Sequence, residues 1–132
     1  MTIPLYLARR GRDQNQGVVL APINGLKDGC KCSQRVALNL RVEPPLEILL
    51  TPERDSIISR QIAAHGVWEP ELTWLVTQLL EPGFGAIDVG ANLGYYSLLF
   101  SRLVGDAGSV FAFEPEPFNF RMLQANLEIN GC

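Results

Sequence analysis

The chain has 132 residues, 47% hydrophobic and 19% charged, with a formal net charge of −3. That length suits one domain, and the composition excludes a wholly disordered or collagen-like chain. Residues 1–66 hold nine Lys/Arg against six Asp/Glu, and residues 67–132 hold two against eight. An acidic half is a poor surface for nucleic-acid phosphates.

In chain order, the opening apolar stretch precedes its charges, Arg9 and Arg10, the reverse of a signal peptide. The Arg9, Arg10 and Arg12 cluster reads as a solvated loop. Residues 1–35 show no clear period, with one short strand expected at 17–20. Strands at 36–41 and 46–50 form a pair around the Glu43-Pro44-Pro45 connection. That connection lacks the Asn/Asp start and aromatic end of the Asn/Asp-Pro-Pro-aromatic methylase motif, and it reads as a plain turn. A short helix is predicted over 55–64 with Asp55 as its cap. A second starts near Pro70, with Leu72, Leu75, Val76 and Leu79 as one buried stripe. Trp68 and Trp74 read as packing residues, and His65 as a helix-end surface residue.

The second half changes character. A strand over 84–89 ends in Asp88-Val89, and the loop Gly90-Ala91-Asn92-Leu93-Gly94 leads into a helix over 95–104. That helix is expected to bury Tyr96, Leu99, Phe100 and Leu103, with Tyr95 towards the loop. A turn at 105–108, a strand over 109–113, the acidic loop from Glu114 and a helix over 117–129 follow, stopped by Asn130-Gly131. Strand, glycine loop, helix, strand, acidic loop, helix is the opening of a doubly wound α/β sheet.

No uncharged run exceeds the 13 residues of 14–26 and 89–101, short of the ~18 of a membrane span. A cytoplasmic protein without membrane contact is expected. Cys30, Cys32 and Cys132 make an odd count, against a disulfide framework. Cys30 and Cys32 could open a zinc site, but only His65 and Cys132 remain to complete it, so no metal is expected.

The glycine loop and Glu114 come together at the carboxyl edge of such a sheet, where a carboxylate can accept both hydroxyls of a ribose. The G-x-G-x-x-G dinucleotide fingerprint fails at Asn92 and Tyr95, and there is no G-x-x-x-x-G-K-[ST] loop. A nucleoside without phosphates fits better. S-adenosylmethionine also carries cationic groups that Asp88 and Glu114 would attract.

The string Asp88-Val89-Gly90-Ala91-Asn92-Leu93-Gly94-Tyr95-Tyr96-Ser97, with Phe113-Glu114-Pro115-Glu116-Pro117 and Asn119 behind it, resembles the FkbM family of S-adenosylmethionine-dependent methyltransferases. Gly66, Trp68-Glu69-Pro70 and Pro82-Gly83 match that family's lead-in, and the resemblance covers about residues 46–131. It implies a Rossmann-like methyltransferase fold, α/β in class, and methyl transfer to a hydroxyl of a small molecule or sugar. Residues 1–45 form an amino-terminal extension of short strands, and 46–132 the first half of the cofactor-binding domain. By matching positions the cofactor set is Glu69, Asp88, Gly90, Ala91, Asn92, Gly94, Glu114 and Pro115. Glu114 holds the ribose and Glu69 the methionine end, although a plain helix-start acid explains Glu69 equally well. Asp88 and Glu114 have structural alternatives, as a loop cap and a solvated turn residue.

The family's sheet has seven strands, of which two are readable. The expectation is therefore a cofactor-binding half that turns over nothing by itself, with its general base unassigned. Two other readings stay open: a nicotinamide-dependent oxidoreductase, and a non-catalytic chain that pairs an open sheet edge with a partner.

Overall fold

A computed structural model of the chain describes residues 5–8, 34–54 and 57–132. The expected strand at 17–20 and the thiols of Cys30 and Cys32 lie outside the described residues. In chain order the elements are β1 (Leu5–Ala8), β2 (Gln34–Ala37), β3 (Glu47–Leu50), α1 (Ile58–His65), α2 (Pro70–Leu79), β4 (Gly85–Val89), α3 (Tyr95–Val104), β5 (Ser109–Phe113) and α4 (Pro117–Ile129). The class is mixed α/β with small sheets.

The three-stranded sheet runs β1-β5-β4. β5 is parallel to β4, with Ile87 opposite Phe111, and antiparallel to β1, with Leu7 opposite Phe111. The helix crossover α3 is what lets β4 and β5 run parallel. β2 and β3 form a separate antiparallel pair, with Val36 opposite Ile48. It joins residues on both sides of position 45 and is braced by an Arg35–Glu47 ion pair. The pairing matches expectation, but β2 lies at 34–37 rather than 36–41. By Leu38 the chain has left the ladder, and that side chain is buried in the core.

The main core joins Ile48 and Leu50 of β3, Met122, Leu123 and Leu127 of α4, Leu98 of α3 and Ala112 of β5. A smaller cluster of Ala86, Val104 and Val110 lies under Leu80 and Phe100. Alternation along β4 and β5 puts Ala86, Asp88, Val110 and Ala112 on the buried face, the period-2 pattern of a sheet covered on one side.

Three helix details depart from expectation. α1 starts at Ile58, with Ile57 at its cap position, rather than at 55, and Asp55, the expected cap, lies outside the described residues. Along α2 the expected stripe is turned outward: Leu72, Leu75 and Leu79 are exposed, as is Trp74 at 64%. The inward side carries buried Thr73 and half-buried Val76, Thr77 and Leu80. Thr73 is held on this side: its hydroxyl donates to the Trp68 carbonyl at 2.7 Å and lies 3.1 Å from the Tyr95 hydroxyl. On α3 the fully buried positions are Tyr95, Ser97, Leu98, Leu99 and Val104, whereas Tyr96, Phe100 and Leu103 are half-buried. The sheet and α4 both pack on this helix, so its buried surface is broader than one stripe.

No helix among the described residues is long and apolar enough to cross a membrane.

Candidate functional site

β4 delivers Asp88 and Val89 to its carboxyl end, and the turn Gly90–Gly94 reverses the chain into α3. Asn92 adopts φ 52° and Gly94 φ 91°. Asn is among the few non-glycine residues that tolerate this region. At Gly94 a Cβ would also stand 2.6 Å from Leu123 Cδ1, so the turn is seated directly on α4.

The turn's amides are largely spoken for. Gly90 and Ala91 both donate to the Phe113 carbonyl, at 2.8 and 3.0 Å, and Gly94 donates to Ala91. Asn92 N–H donates to Glu114 Oε2 at 2.7 Å, and Glu114 Oε1 accepts from the Glu116 amide at 2.8 Å. The end of β5 thus clasps the turn. A phosphate loop works by pointing free backbone N–H groups at its ligand, and here those of 90, 91, 92 and 94 already have acceptors.

Beneath the turn lies a cavity of about 280 Å³, walled by Trp68, Glu69, Asp88, Asn92, Tyr95 and Tyr96 among others. Among the described residues its lining holds two carboxylates, three aromatic side chains and no Lys or Arg. Asp88 accepts from the Ser97 hydroxyl at 2.6 Å. Burial raises its pKa above the usual aspartate value, the Ser97 hydroxyl and amide oppose that, and the charge of Glu114 adds to it. Glu69 stands at the cap position of α2 with φ 43° but does not cap. Its Oε2 instead accepts from the Tyr96 hydroxyl at 2.9 Å. Burial, then the bond to Glu69, push the Tyr96 pKa upward, and burial does the same for Tyr95. Both phenols stay protonated near neutral pH, as donors rather than bases. Asn92 Oδ1 is buried with no partner among the described residues. An unsatisfied buried acceptor of this kind is costly.

Of the eight residues singled out from sequence, Glu69, Asp88, Gly90, Ala91 and Asn92 line the cavity. Gly94, Glu114 and Pro115 do not. Gly94 is buried against α4, Glu114 is 5% exposed and engaged with the loop backbone, and Pro115 is exposed. Trp68 and Tyr96 combine packing on the core with a place in the wall, and His65 is exposed at the end of α1. Sequence reading named Ser97 only within the motif string, without a role, and passed over Thr73; the signal of each is a hydroxyl among apolar neighbours near the start of its helix. Among the described residues no group of three or more His, Cys, Asp and Glu could hold a metal ion.

No family model, curated protein or solved structure matches this chain.

Proposed function

We propose that this chain carries the S-adenosylmethionine-binding part of an FkbM-type methyltransferase, Rossmann-like around β4 and β5, acting on a hydroxyl of a small molecule or sugar. The observation that carries this reading is the cavity at the carboxyl end of β4, with two carboxylates, three aromatic walls and no basic side chain among the described residues. Such a lining favours a cationic ligand through charge and aromatic faces. The engaged turn amides count against a pyrophosphate, and so against a nicotinamide dinucleotide. When bound, the cofactor supplies an electrophilic methyl group on a sulfonium.

The chain's own residues supply binding and orientation. Asp88 and Glu69 attract the cationic end, and Asn92 forms part of the wall beside them. Glu114 fixes the turn, and its oxygens keep lone pairs for a ribose hydroxyl. Isothermal titration with S-adenosylhomocysteine and with a reduced nicotinamide dinucleotide tests the reading. Saturable heat with the first and none with the second is expected, and the reverse pattern overturns it.

The Tyr96–Glu69 contact gives a second expected result. Tyr96→Phe frees the Glu69 carboxylate and removes a bond worth about 1 kcal/mol. S-adenosylhomocysteine should bind about five-fold more weakly, with the melting midpoint lowered by about 4 °C. Unaltered affinity would remove Glu69 from the site.

One observation favours the partner-pairing reading. β4 has no strand on its outer edge among the described residues, and Ile87 and Val89 on its second face are 66% and 81% exposed. Unprotected edges of this kind invite strand addition. Size-exclusion chromatography tests it: a discrete dimer supports it and a monomer opposes it.

A further inference from the structure

We infer that Asn126 is a positioning residue for the glycine turn, acting through the Leu93 carbonyl. Asn126 lies in α4 and is 0% exposed. Its Oδ1 accepts from the Leu49 amide at 2.6 Å, and its Nδ2 donates to the Leu49 carbonyl at 3.2 Å and the Leu93 carbonyl at 2.7 Å. An N–H on one side and two carbonyls on the other fix which way the amide points. Asn130, one turn later, makes the same pair of bonds to β3, accepting from the Glu47 amide at 2.9 Å and donating to its carbonyl at 2.7 Å. Its remaining bond, to the Asn126 carbonyl at 2.7 Å, stays within α4. The two asparagines are therefore equivalent towards β3, and of the two Asn126 alone reaches the turn.

What it holds there matters. The Leu93 carbonyl belongs to the peptide joining Leu93 to Gly94, between two residues with positive φ, Asn92 and Gly94. Leu93 itself is 2% exposed. Without the Asn126 amide that carbonyl is buried and loses its donor, so the peptide plane gains a reason to turn. Asn92, which lines the cavity and whose Oδ1 is buried without a partner among the described residues, is the neighbour that would move with it. The ligand half of this inference rests on the methyltransferase reading, and the loop half does not.

The test compares Asn126→Ala with Asn130→Ala in the full chain. Both lose two bonds to β3, so both should melt earlier. Amide hydrogen exchange at Ala91, Asn92 and Gly94, corrected for global stability, should accelerate about ten-fold in Asn126→Ala and less than about two-fold in Asn130→Ala. S-adenosylhomocysteine should bind about ten-fold more weakly to the first variant and nearly unchanged to the second. Equal loop exchange in the two variants overturns the inference. If Asn126→Ala does not fold, Asn126→Asp keeps an acceptor for the Leu49 amide and loses both donors, and the same exchange comparison decides. If the wild-type chain fails to bind S-adenosylhomocysteine, the methyltransferase reading falls, and the exchange data still decide the role of Asn126.

Discussion

Gly108→Ala is expected to destabilise the protein by about 3 kcal/mol, a large share of the 5–15 kcal/mol typical of a domain. A Cβ at this position would lie 2.4 Å from Val104 Cβ and 2.6 Å from the Phe84 carbonyl oxygen. Neither can yield cheaply. Val104 is buried in the smaller core cluster, and the Phe84 carbonyl accepts from the Ser109 amide at 3.1 Å where the β4–β5 pairing begins. Gly90→Ala is the matched control. Its Cβ meets nothing within 4 Å although φ is +81°, so it should cost only the left-handed backbone penalty of about 1–2 kcal/mol. Urea melts of the two variants check the ranking, and a Gly108→Ala midpoint equal to wild type would show that the close approach at β5 is wrong.

Asp88→Asn is expected to make the empty protein more stable at neutral pH while weakening S-adenosylhomocysteine by about ten- to a hundred-fold, as befits the loss of an interaction with a charged group. Burial is the largest influence on Asp88 and raises its folded pKa above the unfolded one. Its stabilising contribution is therefore complete below the unfolded value and lost as pH climbs through the folded value. Above that point the fold holds an ionised, buried carboxylate. Asparagine keeps an acceptor for the Ser97 hydroxyl and removes the charge. Urea melts at acid and neutral pH should show a smaller fall for the variant than for wild type. Ligand affinity should run the other way, weakening in wild type as acid protonates Asp88 and varying less in Asp88→Asn. A variant that is less stable than wild type at neutral pH would mean that the ionised carboxylate is better solvated than its burial implies.

The second half of the chain was legible because its signals are local. Short apolar runs with glycine and proline punctuation located β4, β5 and α4 to within a residue, and the turn and Asp88 stand at the positions read from sequence. Orientation was harder. On α2, hydrophobic spacing selected Leu72, Leu75 and Leu79, but the inward side carries Thr73, bonded to the Trp68 carbonyl just before the helix, and those leucines are exposed. Periodicity finds an apolar face without showing what lies opposite. Glu114 was placed correctly at the end of β5, yet its carboxylate bonds loop amides, which no spacing in the sequence reveals. Asn126 and Asn130 were read as part of a helix and its stop, because a polar residue within an apolar helix shows its partners only after β3 has docked.

The asparagine pair also rests on a near-coincidence of lengths. Four helical residues advance about 6.0 Å, and two strand residues about 6.6 Å, so amides at 126 and 130 fall in step with alternate residues of β3. The same four-residue step swings the side chain about 40° around the helix. A third amide in the series would be more than 1 Å out of phase and swung about 80° from the first. Position 122, one step earlier, holds Met122, which is packed in the core. A helix can imitate the edge of a strand for two rungs, and this one stops at two.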